Sequence, residues 1–144
     1  MTNITKKPST GFWIFGIAAF IWNLMGVFAF IAQMNMTPEL LAALPEAERA
    51  LYENVPTWLN IVFAIAVFGG ALGSILLLLK KKIALPVFTI SLIAVILQMI
   101  YNLFLSDVSK VYGPGAMIMP VMVFIIAIFL VWYTKKAIIK GWLT

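Results

Sequence analysis

The residues of this chain that could do chemistry are neutral. Asn23, Gln33, Asn60, Gln98, Tyr101 and Asn102 place amides and a phenol in otherwise apolar runs. A carboxamide both donates and accepts hydrogen bonds, so a convergent set would suit a neutral hydroxylated or amide-bearing ligand. Paired with one another instead, such groups would be interhelical hydrogen bonds worth about 0.6 kcal/mol each and up to ~2. The chain has no cysteine and no histidine. That removes thiol nucleophiles, disulfides, the usual zinc sites and imidazole acid–base chemistry. No carboxylate, lysine or arginine falls inside the apolar runs, where proton-coupled transporters place an ionisable group. With no nucleophile–base pair and no metal cluster in view, neither enzymatic activity nor a cofactor is expected. Met34, Met36, Met117 and Met119 are soft enough for Cu(I). Methionine is also a common filler of apolar gaps, and M-x-M spacing splits two side chains between helix faces, so a metal site is not expected.

The elements that carry these residues follow from composition. The chain has 144 residues, 64% of them hydrophobic and 10% charged, with mean hydropathy +1.08. A soluble domain is about 45–50% apolar and about 25% charged. An integral membrane protein is the reading that fits. Charge-free runs cover Pro8–Pro38, Asn54–Leu79, Ile83–Ser106 and Val111–Thr134. A crossing helix needs about 20 apolar residues, so each run holds one span, near 11–34, 57–79, 84–105 and 116–134. The runs do not alternate as barrel strands would. The first is too long for a signal h-region of about 7–15 residues and is read as an uncleaved helix. The expected fold is all-α: a four-helix bundle forming a single transmembrane domain over 1–144.

Lysines set the expected orientation. Lys6, Lys7, Lys80, Lys81, Lys82, Lys135, Lys136 and Lys140 flank one side of the spans. Arg49 and Lys110 flank the other, with all the acids: Glu39, Glu46, Glu48, Glu53 and Asp107. The positive-inside rule puts both termini in the cytoplasm. Basic residues that flank spans do not make a nucleic-acid surface. In the outer loop between spans 1 and 2, Thr37-Pro38-Glu39 and Leu44-Pro45-Glu46 read as two helix starts. They predict short amphipathic helices on the membrane surface, with Leu40, Leu44, Ala47 and Leu51 on one face. The basic, amphipathic tail Ala137–Leu143 is expected to rest on the inner leaflet.

Inside lipid, close packing and polar contacts hold helices together, because apolar burial does not. Each span carries a stripe of small or polar residues at spacings of three and four. These run through Gly16, Ala19, Asn23 and Gly26 in the first span and Asn60, Gly70 and Ser74 in the second. They continue through Ala84, Phe88, Ser91, Gln98 and Asn102 in the third and Pro120, Ala127, Leu130 and Thr134 in the fourth. Gly69, Gly70, Gly73 and Ser74 give the second span two small faces, one more than a single neighbour needs. These residues are read first as helix-packing positions, with contact of the spare face with a second subunit as the lesser alternative. Pro120 is expected to kink the fourth span beside the amides. Trp22 lies near the midplane and is expected inside the bundle.

Five strings extend the reading. They are Trp22-Asn23-Leu24-Met25-Gly26-Val27, Ala43-Leu44-Pro45-Glu46-Ala47-Glu48-Arg49-Ala50, Val67-Phe68-Gly69-Gly70-Ala71-Leu72-Gly73, Val111-Tyr112-Gly113-Pro114-Gly115-Ala116-Met117-Ile118-Met119-Pro120 and Lys140-Gly141-Trp142-Leu143. In this order they resemble a family of small four-span bacterial inner-membrane proteins whose members often carry the label "sugar transporter". The resemblance implies that fold and that membrane; no residue roles come with it. Two readings stay open. The preferred one is an accessory or structural membrane protein that packs against itself or another membrane protein. The alternative is a carrier of a small neutral solute such as a sugar. One bundle has little room for an alternating-access cavity between repeats, so such a carrier would work as a homo-oligomer.

Overall fold

The computed structural model describes residues 7–106 and 108–144. Lys6 and Asp107, both used in the charge map, lie outside the described residues. The long helices are α1 (Thr10–Met34), α4 (Thr57–Leu78), α5 (Ala84–Ile100) and α7 (Ile118–Ile139). Short helices α2 (Pro38–Ala42), α3 (Glu46–Glu53) and α6 (Val108–Tyr112) lie in the connections. A π-helical turn at Tyr101–Leu105 prolongs α5, and a 3-10 turn at Pro114–Met117 leads into α7. All four long segments are long and apolar enough to cross a membrane, and no strand occurs among the described residues.

Local chemistry fixes the ends. The Ser9 hydroxyl accepts from the Phe12 amide at 3.4 Å and caps α1. Thr37 does the same for α2 through the Leu40 amide at 3.2 Å, with Pro38 at the first helical position. Pro45 takes the N-cap of α3 rather than its first turn. The helix break between Ala42 and Glu46 separates Leu40 from the face expected to include Leu51, and Leu40 is exposed.

Two helices stop in the same way. At the end of α4, the Lys80 amide donates to Leu77 O and the Lys81 amide to Leu76 O. At the end of α7, Gly141 donates to Ile138 O and Trp142 to Ala137 O. Both are Schellman turns, which need a left-handed residue at the first position past the cap. Gly141 meets this at φ 77° without strain, whereas Lys80 meets it at φ 60° with a side chain attached. The α7 turn folds the tail back into the bundle: Leu143 is 1% exposed and belongs to the core around Phe12, Leu77 and Phe88. Thr144 then pairs with the α4–α5 link: its amide donates to Lys80 O at 2.8 Å, and the Lys82 amide donates to Thr144 O at 3.0 Å. The tail thus plugs this end of the bundle instead of lying along a leaflet. Helix α7 also continues past the expected end at Thr134 to Ile139.

The four long helices pack in sequence order: α1 on α4, α4 on α5, α5 on α7. Helices α1 and α7 share no extensive backbone contact. The striped residues turn inward, with Gly16, Ala19, Gly70, Ser74, Ala84, Phe88, Ser91, Ala127, Leu130 and Thr134 all buried. The opposite faces expose Ile14, Ile21, Phe28, Ile61, Phe68, Ile93 and Ile125, an apolar exterior suited to lipid.

Candidate functional site

The six polar candidates divide into three arrangements. Asn23 sits in the α1–α4 contact. Its Nδ2 donates to Ala19 O at 2.8 Å and to the Ser74 hydroxyl at 3.1 Å, and that hydroxyl donates to Gly70 O at 2.8 Å. Gln33 Nε2 donates to Asn60 Oδ1 at 3.1 Å, joining α1 to α4 near the α2–α3 end. These two pairs are interhelical clasps; Gln33, Gln98, Tyr101 and Asn102 line one space near the loop helices, whereas Asn23 and Asn60 do not. Tyr101 packs its ring edge-on to Trp58, with centroids 5.9 Å apart. Gln98 and Asn102 differ: they lie one turn apart on one face of α5, and neither side chain has a hydrogen-bond partner among the described residues.

Both face open space. A cavity of about 400 Å³ lies between α1 and α7, with α4 and α5 as its floor. Gly26, Val67, Val95, Gln98, Asn102 and Val123 are among its lining. A smaller space of about 280 Å³ lies toward the loop helices, lined by Gln33, Leu51, Tyr52, Tyr101 and Tyr112. Phe63, Gln98 and Asn102 line both, so the two free carboxamides stand where the spaces adjoin. Helices α3 and α6 come together over the smaller space. The Tyr112 phenol there is held above its ordinary pKa, first by burial and then by the negative charge of Glu48 and by Tyr52. It is therefore a neutral donor at physiological pH.

Aromatic side chains shut the opposite end of the cleft. Phe15 stacks on Tyr133 with centroids 3.9 Å apart and meets Phe129 edge-on at 5.4 Å. Phe12 packs against Tyr133 and Trp142. Side chains thus bridge α1 and α7 near the lysines, while Met25 on α1 and Met119 on α7 stand exposed along the cleft's rims.

Several expectations change. The two glycine faces of α4 are both filled within the chain. A Cβ on Gly69 would meet Ser91 Cβ at 3.2 Å, one on Gly73 the Phe88 ring at 2.7 Å, and one on Gly70 the Asn23 side chain. No spare small face remains on that helix for a second subunit. Pro120 is the third residue of α7, directly after the 3-10 turn. A first-turn proline forfeits no established i−4 bond, so it marks the helix start and lines the cleft rather than kinking a span. Trp22 is half-buried and lines the same cleft. Sequence reasoning missed the aromatic closure, although Phe12 and Phe15, three apart, and Phe129 and Tyr133, four apart, share helix faces. It also missed Phe63 at the junction and the phenols of Tyr52 and Tyr112. Comparison with protein-family models, curated proteins and solved structures finds no match for this chain.

Proposed function

We propose that this chain is a ligand-binding protein of a bacterial inner membrane, with both termini in the cytoplasm, that takes up an uncharged molecule from its outer side. One observation carries the reading: Gln98 and Asn102 present unpartnered carboxamides at the junction of two cavities. Both carboxamides open onto these spaces, so a hydrogen-bonding ligand there takes up bonds worth about 0.5–1.5 kcal/mol each. Lys7, Lys80–Lys82, Lys135, Lys136 and Lys140 on one side of the spans, against Arg49 and Lys110 on the other, support the orientation. It turns the space under α3 and α6 outward and the aromatic closure inward. The family resemblance supports the bacterial membrane.

No carboxylate, lysine or arginine lies at mid-depth in the spans for proton coupling, Lys135 and Lys136 standing in the last turns of α7, and the bundle is single. Binding and presentation of a ligand therefore fit the chain better than ion-driven transport by one copy. The larger cavity offers few polar atoms, which disfavours a free sugar as its occupant. A specific observation also favours an accessory role: the Asn23–Ser74 and Gln33–Asn60 hydrogen bonds spend amides on tying α1 to α4.

Native mass spectrometry of the protein extracted gently from its own membrane separates the two. A bound neutral adduct that disappears in the Gln98→Leu/Asn102→Leu double variant is the expected result. A ligand-free monomer, or a stoichiometric complex with another membrane protein, overturns the binding role in favour of the accessory one.

A further inference from the structure

We infer that the cleft between α1 and α7 receives the apolar chain of an amphiphile whose uncharged head hydrogen-bonds to Gln98 and Asn102. This rests on the ligand-binding role and names the class of ligand.

The cavity's shape is the first ground. Its α5 lining runs from Phe88 to Asn102, roughly 20 Å of helix axis at 1.5 Å per residue. A volume of about 400 Å³ spread over that length has a mean cross-section of about 20 Å². That is room for one extended hydrocarbon chain, whereas an α-helix of about 10–12 Å diameter would lie over the open side of the cleft rather than within it.

Polarity along the cavity is the second ground. Toward the lysine end the lining is Phe88, Ile126, Ala127 and Leu130. Ser91 spends its hydroxyl on Ala66 O at 2.6 Å, and Asn23 is engaged by Ser74. Apart from the Trp22 indole N–H midway along the cleft, the free side-chain hydrogen-bonding groups among the described residues gather at the other end, at Gln98 and Asn102, and continue into the space holding Tyr52 and Tyr112. A molecule matching this gradient is apolar along its length and polar at one end. Among the described residues no lysine, arginine, aspartate or glutamate lines either space, which suits an uncharged head.

Access is the third ground. The rims at Met25 (58% exposed) and Met119 (58% exposed) lie on the bundle's lipid-facing surface. Flexible thioether side chains adapt to varied apolar partners. A chain can therefore slide in sideways from the bilayer, with its head at the level of α3 and α6.

A monoacylglycerol carrying a photoreactive diazirine in its acyl chain tests this on the full-length protein in nanodiscs. Labelled peptides are mapped by mass spectrometry with and without excess unlabelled monoacylglycerol. Saturable, competed labelling on Met25, Met119, Val123 and Ala127, set against uncompeted labelling of Phe28 and Ile125, is the expected pattern. Ala29→Phe, which fills the cleft from its α1 wall, should reduce cleft labelling about tenfold. Gln98→Leu should weaken competition about five- to tenfold. A lysophosphatidylglycerol competitor, with an anionic head, should compete less well than monoacylglycerol.

Uniform, uncompeted labelling overturns the amphiphile. If native mass spectrometry then shows a small polar adduct, the ligand-binding role survives and its ligand is a water-soluble solute. If no adduct appears, both fall. Better competition by the anionic lipid overturns the uncharged head.

Discussion

Replacing Gly70 with alanine tests how closely α1 and α4 approach. The new Cβ would lie well inside van der Waals contact with Asn23 Oδ1 and 2.8 Å from its Cγ. Asn23 cannot simply swing away, because Ala19 O and the Ser74 hydroxyl hold it. Overpacking of this kind costs about 1–3 kcal/mol. Loss of the interhelical hydrogen bond adds about 0.6–1.7 kcal/mol. The better helix propensity of alanine returns about 1 kcal/mol. Gly70→Ala should therefore destabilise the protein by about 1–3 kcal/mol. In an Asn23→Ala background the methyl group has room, and only the propensity gain remains. There the same change should be neutral or stabilising by up to ~1 kcal/mol, giving a coupling energy of roughly 1–4 kcal/mol. The assay is reversible unfolding in mixed micelles across the four variants of the cycle. Equal effects of Gly70→Ala in both backgrounds would refute the close approach and with it the clasp assigned to Asn23.

Lys80 holds a left-handed conformation that glycine adopts freely, so Lys80→Gly should raise stability by about 1 kcal/mol in the same unfolding assay; a loss would mean the lysine side chain holds the turn. Leu143→Ala should cost about 2–4 kcal/mol, since the side chain is buried in the core; a tail resting on the membrane surface would lose almost nothing. The Tyr112 pKa is raised in the folded state, so its contribution is intact below the ordinary tyrosine pKa and is lost as pH rises through the elevated one. Tyr112→Phe should flatten part of that alkaline loss, and tyrosinate absorbance followed with pH in both proteins should show one late-titrating phenol removed by the change.

The inward faces were legible because lipid offers only one exception to its own chemistry: small and polar residues have to be turned away from it. That rule placed Asn23, Ser74, Ser91 and Thr134 on the right faces from spacing alone. Spacing does not fix how far one helix slides or rotates against another. It therefore could not show that Gln33 meets Asn60 while Gln98 and Asn102 are left facing open space. Pro120 was misleading because a proline's effect depends on its distance from the helix start, and that distance was set by the 3-10 turn at Pro114–Met117. The tail carried a usable signal. Gly141 follows the last helical lysine and precedes Trp142 and Leu143, the sequence form of a Schellman turn with an apolar residue beyond it. Read that way, the tail turns back into the bundle.

Packing in sequence order also bears on how the protein is made. Each long helix leaves the ribosome after the one it rests on, so every pairing from α1 to α7 can form as soon as its second member is inserted. Contacts between neighbours along the chain carry the smallest loop-closure penalty and form fastest. Residues of α7 and the tail reach back across the bundle: Phe129, Tyr133 and Trp142 meet Phe12 and Phe15, and Leu130, Ala137 and Leu143 join the core that holds Phe12 and Leu77. Trp142 and Leu143, which close over Phe12 at the lysine-rich end, follow the rest of the bundle, so the walls of the cleft can assemble before that plug is set.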